Sequence, residues 1–110
     1  GYEFILAEMD GKLIGYSCFG RVPTTLDRYD LYWLAVDPDL QGQGLGKMLL
    51  DATEDAISKL HGKLLFVDTS GREQYEPTHR FYKHNGYELV ATVPAYYRDD
   101  DDKLIFCKKL

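Results

Sequence analysis

Three glycines fall within six residues, Gln41-Gly42-Gln43-Gly44-Leu45-Gly46, between an apolar run and an amphipathic one. Upstream, residues 29–36 (YDLYWLAV) form the most aromatic-rich strand candidate in the chain, ended by Asp37-Pro38. Downstream, Leu45, Met48, Leu49, Ala52, Ala56 and Leu60 recur at steps of three and four, which predicts a helix with these residues on its buried face. Lys47, Asp51, Glu54, Asp55 and Lys59 fall mostly on the other side, where Asp55 and Lys59 form an i,i+4 pair, and Gly62 is expected to stop the helix. A glycine loop at such a junction can present several backbone N–H groups to one anion, because the helix N-terminus adds unpaired donors and partial positive charge. A pyrophosphate is the natural guest.

The rest of the chain alternates short apolar runs with turn residues. Residues 3–9 and 12–19 flank Asp10-Gly11 and predict a hairpin, since Asp-Gly readily takes the positive φ values of a two-residue turn. Residues 21–28, with Pro23, predict a loop. Residues 63–68 (KLLFVD) read as a strand buried on both faces. Pro77 suits a first helical position and Asn85-Gly86 a C-terminal cap, so 77–84 is a short helix. Residues 87–93 and 104–108 are the last strands, joined by a loop holding Pro94 and the solvated run Asp99, Asp100, Asp101, Asp102. The order β-β-β-α-β-α-β-β defines an α/β (α+β) chain, and 110 residues without repeat or linker read as a single domain with enough length for a core.

With 13 Lys and Arg against 18 Asp and Glu, the net charge is −5. That balance argues against nucleic-acid backbones and anionic membrane surfaces, which want a basic face. No run approaches a membrane span and Gly1-Tyr2-Glu3 starts no signal sequence. Cys18 and Cys107 show no CxxC spacing, so a reducing, cytoplasmic setting with both as small buried groups is expected. His61, His79 and His84 share no spacing with carboxylates or cysteines for a metal site, and none is expected. The loop lacks the Gly-Lys-Ser/Thr of a Walker motif and the GxGxxG order of a dinucleotide fingerprint, although Asp68 imitates the acidic residue that ends the next strand in the latter.

Leu34-Ala35-Val36-Asp37-Pro38 followed by Gln41-Gly42-Gln43-Gly44-Leu45-Gly46 resembles the acetyl-CoA motif of the GNAT superfamily of acyl-CoA N-acyltransferases, Gln/Arg-x-x-Gly-x-Gly/Ala. Phe81-Tyr82-Lys83-His84-Asn85-Gly86-Tyr87 resembles that family's helix ending in Phe-Tyr, a basic residue and Gly-Phe/Tyr. The resemblance implies a mixed, splayed central sheet flanked by helices, and acetyl-CoA as cosubstrate without a metal. It implies that the backbones of Leu34, Ala35 and Val36 bond the pantetheine arm and polarise the thioester carbonyl, a contribution of about 3 kcal/mol per donor at acyl-transfer sites. Gln41, Gly42, Gln43, Gly44, Leu45 and Gly46, with Lys47, would hold the pyrophosphate. Many relatives carry Arg or Lys in this loop where the chain has Gln41 and Gln43, so backbone donors must carry more of the binding. Arg80 and Lys83 are candidates for the adenosine phosphates.

Tyr82 matches the general acid that protonates the departing thiolate, a role suited to a phenol that is neutral at physiological pH. Phe81, turned by about 100° on the helix, is expected to pack in the core. The base is not assigned by any motif; Asp68, Asp30 and Glu73 are the candidates. Cys18 as an acyl-carrying nucleophile would imply a ping-pong route, but no paired base accompanies it. The resulting expectation is an N-acetyltransferase acting by direct attack in a ternary complex on a small-molecule or peptide amine, cationic to match the acidic chain and the four aspartates. The alternative is a non-catalytic acyl-CoA-binding or regulatory module. The chain opens directly on a strand, where the family places a further strand and one or two helices, so it reads as a fragment or a minimal version. Homodimerisation, common in the family, is not written in the sequence.

Overall fold

The computed structural model describes residues 1–110, which contain six strands and two helices in the expected order. They divide into two compact units, Gly1–Leu65 with Leu110, and Phe66–Lys109.

In the first unit, β1 (Tyr2–Met9), β2 (Lys12–Arg21) and β3 (Arg28–Val36) form an antiparallel meander with β2 in the middle. Asp10 and Gly11 take φ of 52° and 76°, the paired positive values of a tight hairpin turn, and Met9 sits opposite Lys12. β3 leads through a short 3-10 turn (Pro38–Leu40) to α1 (Leu45–Lys59).

The face that α1 buries differs from the expected one. Leu49, Leu50, Thr53 and Ile57 point inward, whereas Met48 and Leu60 are exposed. The helix is rotated by about one residue because a polar residue sits in its core stripe. Thr53 donates to the Leu49 carbonyl at 2.7 Å and its Oγ1 lies 2.6 Å from Ser17 Oγ on β2, so Ser17 is the donor of that second bond. A reading that counts only apolar side chains passes over Thr53 and takes the neighbouring stripe. The helix end also differs. His61, at φ 67°, takes the left-handed position expected of Gly62, whose N–H instead bonds the Ile57 carbonyl at 2.9 Å. Gly62 is needed for space, since a Cβ there would run into Ile57 Cγ2.

In the second unit, β6 (Asp101–Lys109) lies between β4 (Leu64–Ser70) and β5 (Glu88–Arg98), with α2 at Glu76–His84. β4 is not buried evenly on both faces: Leu65, Val67 and Thr69 are buried, while Leu64, Phe66 and Ser70 are half-covered and Asp68 is exposed. The loop expected around Pro94 is a hairpin. β5 runs on to Arg98, and only Asp99 and Asp100 form the turn before Arg98 pairs with Asp101. Pro94 fits because the register slips between Val93 and Arg98, a bulge in which Ala95 takes φ 54° and donates its N–H to Asp102 Oδ1 at 2.9 Å. The acidic run is therefore not wholly solvated: Asp101 is buried and accepts a 2.5 Å bond from Ser70 Oγ.

The cap of α2 follows the expectation. Gly86, at φ 92°, donates to the Lys83 carbonyl at 3.2 Å and Tyr87 donates to the Tyr82 carbonyl at 3.0 Å, the two bonds of a Schellman motif.

The buried hydroxyl pair in the first unit has an asymmetric consequence. Thr53→Val strands the Ser17 hydroxyl in the core and should cost about 1–3 kcal/mol in urea unfolding. Ser17→Ala leaves the Thr53 hydroxyl on the Leu49 carbonyl and should cost less; equal costs would show that Ser17 is not the donor.

Candidate active site

The 41–46 loop is open. Gln41, Gly42, Gln43 and Gly44 are exposed, and Leu45 and Gly46 half-buried, at the start of α1. Gly42 and Gly44 take φ of 83° and 79°, and a Cβ built on either meets nothing within 4 Å. The glycines serve backbone conformation here, not packing: they turn the chain through left-handed geometry that other residues adopt only with strain. The first intrahelical bond runs from Met48 N–H to the Gly44 carbonyl, which leaves the N–H groups of Leu45, Gly46 and Lys47 without intrahelical partners. Those donors and the positive helix end face an open space of the kind an anion needs. Lys47 is exposed and bonded to Asp51 Oδ2 at 2.7 Å; that hydrogen bond, and the Asp51 charge with it, raises the Lys47 ammonium.

Leu34, Ala35 and Val36 are half-buried at the end of β3, opposite Ser17, Tyr16 and Gly15. Gly15 has no room for a side chain, since a Cβ would lie 2.9 Å from both the Ala35 carbonyl oxygen and Leu49 Cδ1. A hollow of about 360 Å³ adjoins this strand end and includes Ala35, Val36, Asp37 and Pro38 in its lining. Asp30 is half-buried on the same strand. A second hollow, of about 500 Å³, is lined by Tyr2, Phe4, Tyr16, Cys18, Tyr32 and Trp33. Burial, then the charge of Asp30, raises the Tyr32 phenol there. Cys18 is buried and Cys107 half-buried, and neither is in a disulfide.

In the second unit, Tyr82 is only 5% exposed and Phe81 is half-buried, the reverse of the expected division between them. The helix phase accounts for it: Tyr82 turns toward β6 and packs against Phe106 and Tyr87, with ring centroids 6.3 and 5.4 Å away. Burial pushes the Tyr82 phenol up to about 12, so it remains a neutral proton donor across the physiological range. Lys83 is exposed, and Arg80, also exposed, pairs with Glu76 at 3.4 Å. Of the base candidates, Glu73 is exposed in the turn before α2, and Asp68 is held by Lys103, with Nζ 3.2 Å from Oδ2.

Two groupings escaped the sequence reading. Ser70, Asp101 and His79 meet where β4 ends. His79 Nε2 lies 2.7 Å from the Ser70 carbonyl, not its hydroxyl, and therefore carries the hydrogen. This arrangement braces α2 against β4 and activates no nucleophile, because the hydroxyl faces only a carboxylate and the Arg72 N–H. Lys103, Asp68, Tyr96 and Tyr97 form the other grouping: Lys103 Nζ sits 4.3 Å above the centre of the Tyr96 ring. Its only sequence signal was the Tyr-Tyr pair beside an acidic run. No group of three or more metal-ligating side chains lies together, and no helix is long and apolar enough to cross a membrane.

Comparison with known proteins gives a consistent answer. The family profile for the acetyltransferase (GNAT) domain matches residues 1–89. An uncharacterized N-acetyltransferase of Methanocaldococcus jannaschii is 28% identical over 108 residues, 96% of this chain and 65% of that protein. The chain thus spans just under two thirds of that relative's length. A solved structure assigned to the GNAT family, from Desulfovibrio desulfuricans, is 43% identical with a TM-score of 0.97, covering 99% of this chain and 69% of that one. An acetyl-CoA-bound GNAT acetyltransferase of Elizabethkingia anophelis, 17% identical, shares the fold with a TM-score of 0.86 over 99% of this chain and 76% of that one. The fold is the mixed six-stranded sheet with two helices that the sequence led us to expect.

The buried phenol makes a direct prediction. Tyr82 binds its proton more tightly folded than unfolded, so its contribution to stability is complete below pH about 10 and is lost as pH rises toward about 12. In ultraviolet titration, Tyr82→Phe should remove one tyrosine component titrating near pH 12; an unchanged high-pH component in the variant would contradict the assignment.

Proposed function

Because the chain belongs to the GNAT family of acetyltransferases, we propose that it transfers an acetyl group from acetyl-CoA to a primary amine by direct attack in a ternary complex. The observation that carries this reading is the exposed 41–46 loop, with two left-handed glycines opening a helix whose first N–H groups are unpaired. Such a loop holds a diphosphate without cationic side chains, which suits a chain with Gln41 and Gln43 in those places.

In this mechanism Gln41, Gly42, Gln43, Gly44, Leu45, Gly46 and Lys47 hold the diphosphate, Lys83 reaches the adenosine phosphate, and the backbones of Leu34, Ala35 and Val36 bond the pantetheine arm. A backbone N–H aimed at the thioester oxygen stabilises the charge that develops there. The acceptor ammonium loses a proton to Asp68 or Asp30, directly or through water. The amine nitrogen then bonds to the acyl carbon and gives up its second proton to solvent, the carbon–sulfur bond breaks with its electron pair leaving on sulfur, and the Tyr82 O–H donates a hydrogen bond to that sulfur as negative charge builds. A phenol near 12 is a weaker acid than a thiol near 8.5, so Tyr82 acts first as a hydrogen-bond donor, and net proton transfer is completed with solvent.

The acceptor is a small-molecule or peptide amine, cationic to complement the net charge of −5. Two cysteines without a disulfide fit a reducing, cytoplasmic setting.

Calorimetric binding of acetyl-CoA, run beside free-thiol release with a panel of primary amines, tests the reading. Binding with thiol release is expected; binding without release for any amine would make the chain an acyl-CoA-binding module instead. Tyr82→Phe should lower turnover by roughly 10²-fold or more while leaving acetyl-CoA affinity intact, and unchanged turnover would remove Tyr82 from the mechanism.

A further inference from the structure

The second unit holds a lysine in an environment unlike that of the exposed lysines with which it can be compared. Side chains of Lys12, Lys47 and Lys59 are 76%, 62% and 77% exposed, with their ammonium groups on surface carboxylates. Lys103 is 19% exposed and its ammonium is enclosed on two sides, by the Asp68 carboxylate at 3.2 Å and the face of the Tyr96 ring at 4.3 Å. Tyr97 stands edge-on to Tyr96 with centroids 5.0 Å apart. A carboxylate and a π-face aimed at one ammonium are the two elements from which proteins build cation receptors.

Topology explains how the elements meet. β6 lies between β4 and β5, so a side chain near the start of β6 reaches Asp68 on one neighbour and Tyr96 on the other. The bulge between Val93 and Arg98 brings Tyr96 and Tyr97 to Lys103. Phe106 packs on His79 and Tyr82 of α2, and strand alternation turns Lys103 to the opposite face, away from that ring stack.

The walls of this receptor are open even though its occupant is not. Asp68 is 43% exposed, and Tyr96 and Tyr97 are exposed, so a second cation can reach the groups that hold Lys103. The ammonium is also held weakly enough to leave: partly exposed ion pairs and cation–π contacts are each weak in water, and the four-carbon stem lets the charge swing into water.

We propose that Asp68, Tyr96 and Tyr97 form a binding site for one primary ammonium group, which the Lys103 ammonium fills until a ligand's ammonium exchanges with it. The inference rests on the acetyl-transfer reading in identifying that ligand as the acceptor amine, and it makes Lys103 a specificity-determining residue: only an ammonium slim enough to take its place, on an unbranched stem, is admitted. The titration tendencies agree. Burial works to lower the Lys103 ammonium, and the Asp68 hydrogen bond and charge outweigh it to leave the group raised. The Tyr97 phenol is pushed up by burial and then by Asp68, with Lys103 pulling against them.

The test uses the full chain and butylammonium as probe, with binding followed by NMR of the tyrosine rings and no acetyl-CoA present. Lys103→Met keeps a stem of similar length and removes the competing charge, so the probe should bind at least about tenfold more tightly than to the wild type. A rise in the Tyr97 titration midpoint would show that the variant keeps the native arrangement. Adding Asp68→Asn to Lys103→Met should abolish the gain, and tetramethylammonium, which has no N–H to give Asp68, should bind worse than butylammonium.

A second measurement needs no variant. In the wild type, Lys103 should react with an amine-acylating reagent more slowly than Lys12 or Lys59, and saturating butylammonium, although it competes for the reagent, should raise the labelling of Lys103 relative to that of Lys12 in the same sample. The proposal is overturned if Lys103→Met binds the probe no better, if the quaternary ion binds as well, or if Lys103 labels as fast as the exposed lysines. Probe exchange without any acetyl transfer would leave the site standing and overturn only the acetyl-transfer reading; transfer without exchange would do the opposite.

Discussion

The first unit depends on how closely α1 can approach β2. At Gly15 a single added carbon would strike both Leu49 Cδ1 and the Ala35 carbonyl, so helix and strand are as near as a missing side chain allows. One residue pair along, Ser17 and Thr53 meet through their hydroxyls, again because both are small. This seating fixes the rotation of α1, and with it the inward set Leu49, Leu50, Thr53 and Ile57. It also fixes where the helix begins. With the body of α1 pinned to β2, the chain leaving Val36 has only the 3-10 turn and a few residues in which to reach Leu45, and the left-handed glycines at 42 and 44 make that passage without strain. The geometry of this exposed helix start is thus a consequence of tight packing further along the helix.

In the second unit the equivalent constraint is the cap of α2. Tyr82 supplies both the carbonyl that accepts from Tyr87 and the ring that packs against it, so the same residue closes the helix and anchors the turn into β5. Gly86 permits this through its positive φ. A candidate acid held at both backbone and ring has little freedom to reorient, and its burial keeps the proton in place. Rigidity and a raised pKa come from one arrangement.

Much of this was legible in the residues. Asp10-Gly11, Gly42 and Gly44 of the 41–46 loop, and Asn85-Gly86 mark places where the backbone needs special angles, and each is found in the turn, loop or cap it implied. What was not legible shares a different cause. The stripe through Met48, Ala52 and Ala56 was taken over Leu50, Thr53 and Ile57 because Thr53 counts as polar until its partners are known, and one of those partners, Ser17, lies on a strand. The β5–β6 hairpin was cut short at Pro94 because a bulge that frees a proline from the ladder leaves no local signature. The burial expected of Phe81 fell instead to Tyr82, since a nine-residue helix has too few turns to fix its phase. Asp101 looked like one of four solvated aspartates until Ser70 met it in space. Local conformational requirements are written in sequence; the satisfaction of polar groups by distant ones is not.

That distinction bears on the charge of the chain. A net charge of −5 would repel the proposed polyanionic cosubstrate at long range, so its binding would have to come from short-range backbone donors, whose effect does not depend on the sign of the whole surface. Donors of that kind need an exposed helix start and glycines free to turn, which is what the 41–46 loop supplies. The same negative balance works in the opposite sense for an amine, drawing it in from a distance, but attraction without a local cation site confers no selectivity. Asp68, Tyr96 and Tyr97 provide the local chemistry, and the low exposure of Lys103 shows that an ammonium already finds it favourable. On the proposed reading, the chain would bind its anion through backbone and its cation through side chains, assigning each charge to the kind of group able to recognise it.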